Sequence, residues 1–374
     1  MSDVENKNLE NEDEIPEIYS LQKGKKGWQF SRRDFLKAAG AASALAAAGI
    51  GNRRNLNPVS AAEMKDLCTV SKAHNEEITA IAVSSSSNWF VSGDKSGEIK
   101  VWNLPEFGLE NSLMIGDGPI RSCAFSIDSS ILFVGSDSGN VFRILRETLE
   151  IIETIAIDNS SPISCMTISK NGNTIAMCNV SGKIYLYDIR TIKITTQLET
   201  NDTDILTMHF NANGDILYTC SGSGYIRQYT IPELKLDKTL LEEGQTITAA
   251  GFIPGDLHLI YSLHENRLVF YSLSESKALW SVDSPDDTIF ALEISPDGSL
   301  FITSGTQNKL KIWNTSNGKM VYEIFSFSEK LPLLAITPDG TMLISSTNNT
   351  ILVWSLPDGK LIQCPVDLSI MPEN

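Results

Sequence analysis

Two ladders of apolar residues, each rising in steps of about 42, predict an all-β protein: a seven-bladed β-propeller of four-stranded antiparallel blades. One ladder closes a short strand at Trp102, Ile144, Tyr187, Tyr229, Tyr271, Trp313 and Trp354, at intervals of 42, 43, 42, 42, 42 and 41 residues. The other closes an upstream strand at Val83, Phe125, Ile168, Phe210, Phe252, Ile294 and Ile336, at intervals of 42, 43, 42, 42, 42 and 42. Within a unit, runs such as 78–83, 89–93 and 99–103 have the period of two that strands require, and 319–324 exemplifies a fourth run. Turn chemistry separates them, clearest at Ser295-Pro296-Asp297-Gly298 and Thr337-Pro338-Asp339-Gly340.

Composition narrows the function. The 374 residues hold 30 Lys+Arg against 46 Asp+Glu, a net charge of -16, with 42% apolar and 20% charged residues. Such a chain can bury a core, while its charge repels phosphate backbones and anionic lipid, so no nucleic-acid partner is expected. The four histidines, His74, His209, His258 and His264, lie outside any metal-ligand spacing, so no metal or other cofactor is expected. No run of 18 apolar residues provides a stable membrane span.

Taken in chain order, residues 1–20 carry seven acids against one base, Lys7, and with the basic patch Lys23, Lys25 and Lys26 they form an expected disordered region, 1–30. Ser31, Arg32, Arg33, Asp34, Phe35, Leu36 and Lys37 follow, then a weakly apolar Ala/Gly-rich segment at 38–51, Arg53 and Arg54, and the small residues Ser60, Ala61 and Ala62. SRRDFLK resembles the export motif of twin-arginine signal sequences at every defined position. The resemblance implies a signal peptide over 31–62 with cleavage near 61–62, and a propeller over 63–374. It also implies the twin-arginine translocase as a transient partner, and export across the cytoplasmic membrane of a prokaryote to a periplasmic or extracellular site. Residues 63–374 carry 21 Lys+Arg against 38 Asp+Glu, so the exported part holds the acidity.

The units of the propeller resemble WD-repeat proteins over 66–366. Unit one carries His74 before its first strand, Ser92 on its second and Trp102 on its third. The resemblance implies that these join an Asp of the turn between strands two and three in a structural hydrogen-bond network. At that turn position the chain has Ser96, which predicts an incomplete network. Tyr187-Asp188 is the nearest later match to Trp-Asp, so apolar packing is expected to carry the other blades.

Of the six cysteines, Cys123, Cys165, Cys178 and Cys220 fall in predicted inner strands and are expected to be buried and unreactive. Cys178 and Cys220 occupy equivalent places in adjacent blades, and sheets about 10 Å apart are too distant for a disulfide. For ring closure the N-terminal segment 66–71 is expected to supply the last blade's outer strand with 360–366 beside it, which would bring Cys68 near Cys364.

The functional expectation is a non-catalytic interaction scaffold, a monomeric propeller within a complex. Its partner would be a protein or peptide, basic in character. The loops entering the seven innermost strands all carry acids: Glu76 and Glu77; Asp117; Asp158; Asp202 and Asp204; Glu242 and Glu243; Asp283, Asp286 and Asp287; Glu329. Such a rim would steer a cationic partner. The alternative is a propeller enzyme or redox-complex subunit, of the lactonase, lyase or quinoprotein kind, whose site has no sequence motif.

Overall fold

The computed structural model describes residues 72–356 except 105, 158–160, 201, 243, 256, 265, 287 and 326–329, and beyond them residue 359 and the strand 361–363. The export motif, the cleavage site, Cys68, Cys364, Asp158, Glu243, Asp287 and Glu329 therefore lie outside the described residues. Among those described are seven sheets of four antiparallel strands, each paired in chain order from the innermost strand outward. Blades 1 to 7 occupy residues 78–114, 120–156, 163–199, 205–242, 247–283, 289–325 and 333–363. Each inner strand neighbours the next around the ring, and that of blade 7 meets that of blade 1.

The two ladders lie where this packing needs them. All seven residues of the first are buried, at most 4% exposed, and they enter the apolar clusters that join adjacent blades. Six inner strands start on a buried isoleucine, Ile78, Ile120, Ile163, Ile205, Ile247 and Ile289. The next residue of each is skipped by the pairing register, a bulge that lifts Thr79, Arg121, Ser164, Leu206, Thr248 and Phe290 out of the ladder. In the turn between strands two and three, one residue of every blade has positive φ: Gly97, Gly139, Gly182 and Gly224, then Asn266, Asn308 and Asn348. Glycine and asparagine are the residues that reach this region at least cost. At Gly182 a Cβ would lie 1.8 Å from the Asp202 carbonyl oxygen, so close approach forbids a side chain as well.

Loops on each face are hydrogen-bonded to one another in the same frame. On one face, the turn after strand two donates to the segment entering strand one: Lys95 N–H to Glu77 O (3.0 Å), Asp137 to Pro119 (2.8 Å) and Gly222 to Asp204 (2.8 Å). On the other, Leu104 N–H reaches Asn88 O (2.7 Å) and Leu356 N–H reaches Thr341 O (2.9 Å). The scaffold thus holds both sets of loops by backbone bonds that do not depend on side-chain identity.

Ring closure differs from the sequence expectation. The fourth strand of blade 7 is the C-terminal segment, Leu361–Gln363, which pairs with the third strand through Val353↔Gln363 and Trp354↔Leu361. Each blade is thus one contiguous run of chain, with Leu361–Gln363 in the place expected for the N-terminal segment 66–71, which itself lies outside the described residues. The ring instead closes through the segment before strand one. Ala73 and His74 N–H both donate to Asn349 O (2.9 and 3.1 Å), Ile78 N–H donates to Asn348 O (2.7 Å), and Phe90 and Trp102 pack with Ile344 and Val353.

Candidate functional site

The face bearing the strand-entry loops is built blade by blade. In blade 1 the Trp102 indole N–H donates to Ser92 Oγ (2.8 Å), which lies 2.6 Å from His74 Nε2, while His74 Nδ1 lies 3.0 Å from Asp94 Oδ2. One proton arrangement serves all three contacts: Ser92 donates to Nε2, and Nδ1–H donates to Asp94. Asp94 Oδ1 accepts from Ser96 N–H (2.9 Å), Ser96 Oγ (2.6 Å) and Glu98 N–H (3.0 Å). Burial would raise this carboxyl, but the bonds from His74, Ser96 and Glu98 outweigh it and hold it below the usual carboxylate value.

The network expected to be broken at Ser96 is therefore complete. Asp94, the last residue of strand two, supplies the carboxylate in place of position 96 and reaches both His74 and the turn amides. His74, Asp94 and Glu98 place ligand-type atoms within 4.8 Å of one another. Both imidazole nitrogens are already committed, so this cluster serves the blade.

In three other blades an acid of the strand-entry loop turns inward as His74 does. Asp117 accepts from Ser136 Oγ (2.8 Å), Asn140 Nδ2 (3.0 Å) and Ser138; these bonds overcome the effect of burial and lower its pKa. Asp202, fully buried, pairs with Arg227, yet burial still raises its carboxyl above the ordinary value. Asp286, fully buried, pairs with the equally buried Lys311 and accepts from Gln307 N–H (3.0 Å). Arg227 and Lys311 stand two residues before the strand-three anchors Tyr229 and Trp313.

These positions correct the expectation of a rim through Asp202 and Asp286: each neutralises a cation inside its own blade and presents no charge to a partner. Asp117 is half-buried and bound to its own turn. Glu77 is ion-paired with Lys95. Glu76, Asp204, Glu242 and Asp283 remain exposed on this face.

A second feature lies among the inner strands of blades 4, 5 and 6. A cavity of about 200 Å³ is lined by residues that include Met208, His209, Gly251, Phe252, Glu293 and Ile294. One register position runs Ala82, Ala124, Thr167, His209, Gly251, Glu293, Ala335 around the ring. Five small residues thus leave room, and the two titratable ones flank the glycine. His209 stacks on Phe252 (5.4 Å between centroids), and burial lowers its pKa. Burial pushes Glu293 up to about 7, against the opposing pull of a backbone N–H bond from Ile336. A carboxyl raised to about 7 and a buried imidazole thus line one cavity, which can take a small polar ligand. Reading the sequence strand by strand passes over Glu293; comparing one register position across all seven units is the signal that finds it.

The WD domain, G-beta repeat family matches residues 65–103, 111–142, 192–230, 276–314 and 333–355. Each match ends at or near the third-strand anchor of a blade. The chain is a WD-repeat β-propeller. Its N-terminal region matches the twin-arginine translocation pathway signal sequence family at residues 29–49, which indicates export across the cytoplasmic membrane.

Curated relatives of this WD-repeat propeller include human echinoderm microtubule-associated protein-like 1, 24% identical over 33% of the chain. Autophagy-related protein 16 of Arabidopsis thaliana is 27% identical over 34% of it, and polyadenylation factor subunit 2 of Candida albicans is 35% identical over 19%. The matches span only 15%, 25% and 13% of those three proteins. Among the described residues no helix is long and apolar enough to cross a membrane.

Proposed function

We propose that this WD-repeat propeller is an exported, non-catalytic scaffold, periplasmic or extracellular, that docks a basic protein or peptide on its strand-entry face. One observation carries the reading. Four acids stay exposed on this face of the ring: Glu76 and Asp204 in loops entering blades 1 and 4, and Glu242 and Asp283 at the ends of the outermost strands of blades 4 and 5. Binding residues on loops of a fixed scaffold are pre-organised, and acids of one sign raise the encounter rate of a cation. Membership among WD-repeat propellers and the similarity to a microtubule-associated protein-like protein and to a polyadenylation factor subunit support a protein partner. The twin-arginine signal supports its encounter after export, with removal of residues 1–62 preceding it.

The test is recovery of the tagged mature protein from the exported fraction at low salt, beside a variant with Glu76→Gln, Asp204→Asn, Glu242→Gln and Asp283→Asn. A protein partner held by wild type, released by about 1 M salt and lost from the variant supports the reading. Equal recovery with both proteins overturns it. The His209–Glu293 cavity favours a second reading, a small-molecule site of an enzyme or redox-complex subunit. A bound small molecule that disappears in Glu293→Gln would establish that alternative.

A further inference from the structure

Blade 3 differs from the other six at one register position. Its first two strands, Ile163–Ile168 and Thr174–Asn179, pair so that Cys165 stands directly opposite Cys178. Directly opposed residues of an antiparallel pair point to the same side of the sheet with Cα atoms about 4.5–5.5 Å apart, within the span of about 4.4–6.8 Å that a disulfide bridges. Both side chains face blade 4, where Cys165 packs against the cluster that contains Cys178, Met208 and Phe210. The bulge at Ser164 adjoins the pair, and Ser164 Oγ donates to Cys178 O (3.1 Å).

The equivalent pairs elsewhere are Ala80↔Gly93, Ser122↔Gly135, Thr207↔Cys220, Ala249↔Ser262, Ala291↔Ser304 and Leu333↔Ser346. Blade 3 alone brings two sulfurs together. Cys220, buried at the matching place in blade 4, faces a threonine.

We propose that Cys165 and Cys178 are an oxidation site that closes to a cross-strand disulfide when the folded propeller meets a disulfide donor after export. Cys165, which is half-buried where Cys178 is fully buried, attacks the donor disulfide as thiolate, forms a mixed disulfide and releases one donor thiol. Cys178 then displaces the second donor thiol. Two protein thiols are oxidised, the donor disulfide is reduced to two thiols, and the protein's two thiol protons pass to them. The bond to Cys178 and burial hold the Cys165 thiol well above its ordinary range, so the exchange is slow and accelerates with pH. Cys165 thus departs from the sequence expectation that all four inner-strand cysteines are buried, and a reactive Cys165–Cys178 pair departs from the expectation that they are unreactive.

The experiment uses the purified, reduced protein incubated with oxidised glutathione at pH 7 and pH 9, then denatured, alkylated, digested and mapped by mass spectrometry. The expected product is a Cys165–Cys178 linked peptide, lighter by two hydrogens, that forms faster at pH 9, with Cys123 and Cys220 alkylated. In Cys178→Ser the exchange should stop at a stable glutathione adduct on Cys165. Protein purified without reductant from the exported fraction should already carry the link. A wild-type protein that keeps Cys165 and Cys178 alkylated after prolonged oxidation, or that stops at the Cys165 adduct, overturns the proposal. Because the donor is added in vitro, that result is independent of whether any partner binds.

Discussion

Blades 1 and 6 perform one structural task with different chemistry. Both tie the strand-entry loop to the turn after strand two, and both anchor a tryptophan to a hydroxyl ten residues earlier: Trp102 to Ser92 Oγ (2.8 Å) and Trp313 to Thr303 Oγ1 (2.9 Å). Blade 1 continues from that hydroxyl through His74 to Asp94, so a chain of hydrogen bonds reaches the turn. Blade 6 has no histidine there. It uses Asp286 of the loop against Lys311 of the third strand, a pair buried on both sides. Position is therefore retained while chemistry is exchanged. The two solutions should also fail differently, since a hydrogen-bond chain loses one link at a time and a buried ion pair leaves a bare charge.

The largest effect is expected in blade 6. Lys311→Met leaves Asp286 buried without its cation and should cost about 3–5 kcal/mol in urea unfolding of the mature protein. Adding Asp286→Leu removes the stranded charge and should recover most of that loss. A double variant as unstable as the single would show that packing, not charge compensation, sets the role of the pair.

In blade 1, Asp94→Ala deprives His74 and the Ser96 and Glu98 amides of their acceptor, at an expected cost of about 2–3 kcal/mol. The reciprocal exchange, Asp94→Ser with Ser96→Asp, returns the acid to the place the family resemblance implies. It should stay within about 1 kcal/mol of wild type, since a hydroxyl and a carboxylate again serve the same turn. A loss as large as that of Asp94→Ala would mean that only Asp94 can reach His74.

The cavity provides a comparison in pH. Glu293 has a folded value raised from 4.5 to about 7. Its neutral form suits the fold, so its stabilising contribution is complete below 4.5 and disappears as pH rises through 7. Glu293→Gln should therefore gain roughly 1–2 kcal/mol on wild type between pH 5 and pH 8, as denaturation at the two values would measure. Asp94 and Asp117 have the opposite sign. Their folded values are lowered, so stability present above 3.8 is lost as pH falls through those values.

The smallest effect belongs to the exposed turns. Asp297 accepts from Ser295 Oγ (2.6 Å) and Ser299 N–H (3.0 Å), and these bonds lower its pKa. Asp297→Asn retains the turn geometry, so the change at pH 7 should be under about 0.5 kcal/mol. Any difference should appear on the acid limb of the stability profile.

Most of the architecture was legible because strands, turns and blade boundaries are local. An interval of 42 residues between anchors, the alternating apolar runs of the strands and the Pro-Asp-Gly turns at 296–298 and 338–340 can each be read without knowing what lies across the sheet. The site was less legible because exposure is a property of neighbours. Asp204 and Asp202 look alike in sequence, yet Asp204 is exposed while Asp202 is buried against Arg227, 25 residues further along.

The sequence by itself therefore determined the number of blades and the export signal, since repetition and short motifs carry those. Only the tertiary structure decided that Asp94 completes the blade 1 network, that Asp202 and Asp286 are internal counter-ions, and that the C-terminal segment supplies the last strand. It also set Cys165 against Cys178. Each of these depends on which side chains or strands the fold brings into contact, and pairing register and burial, not spacing along the chain, determine that.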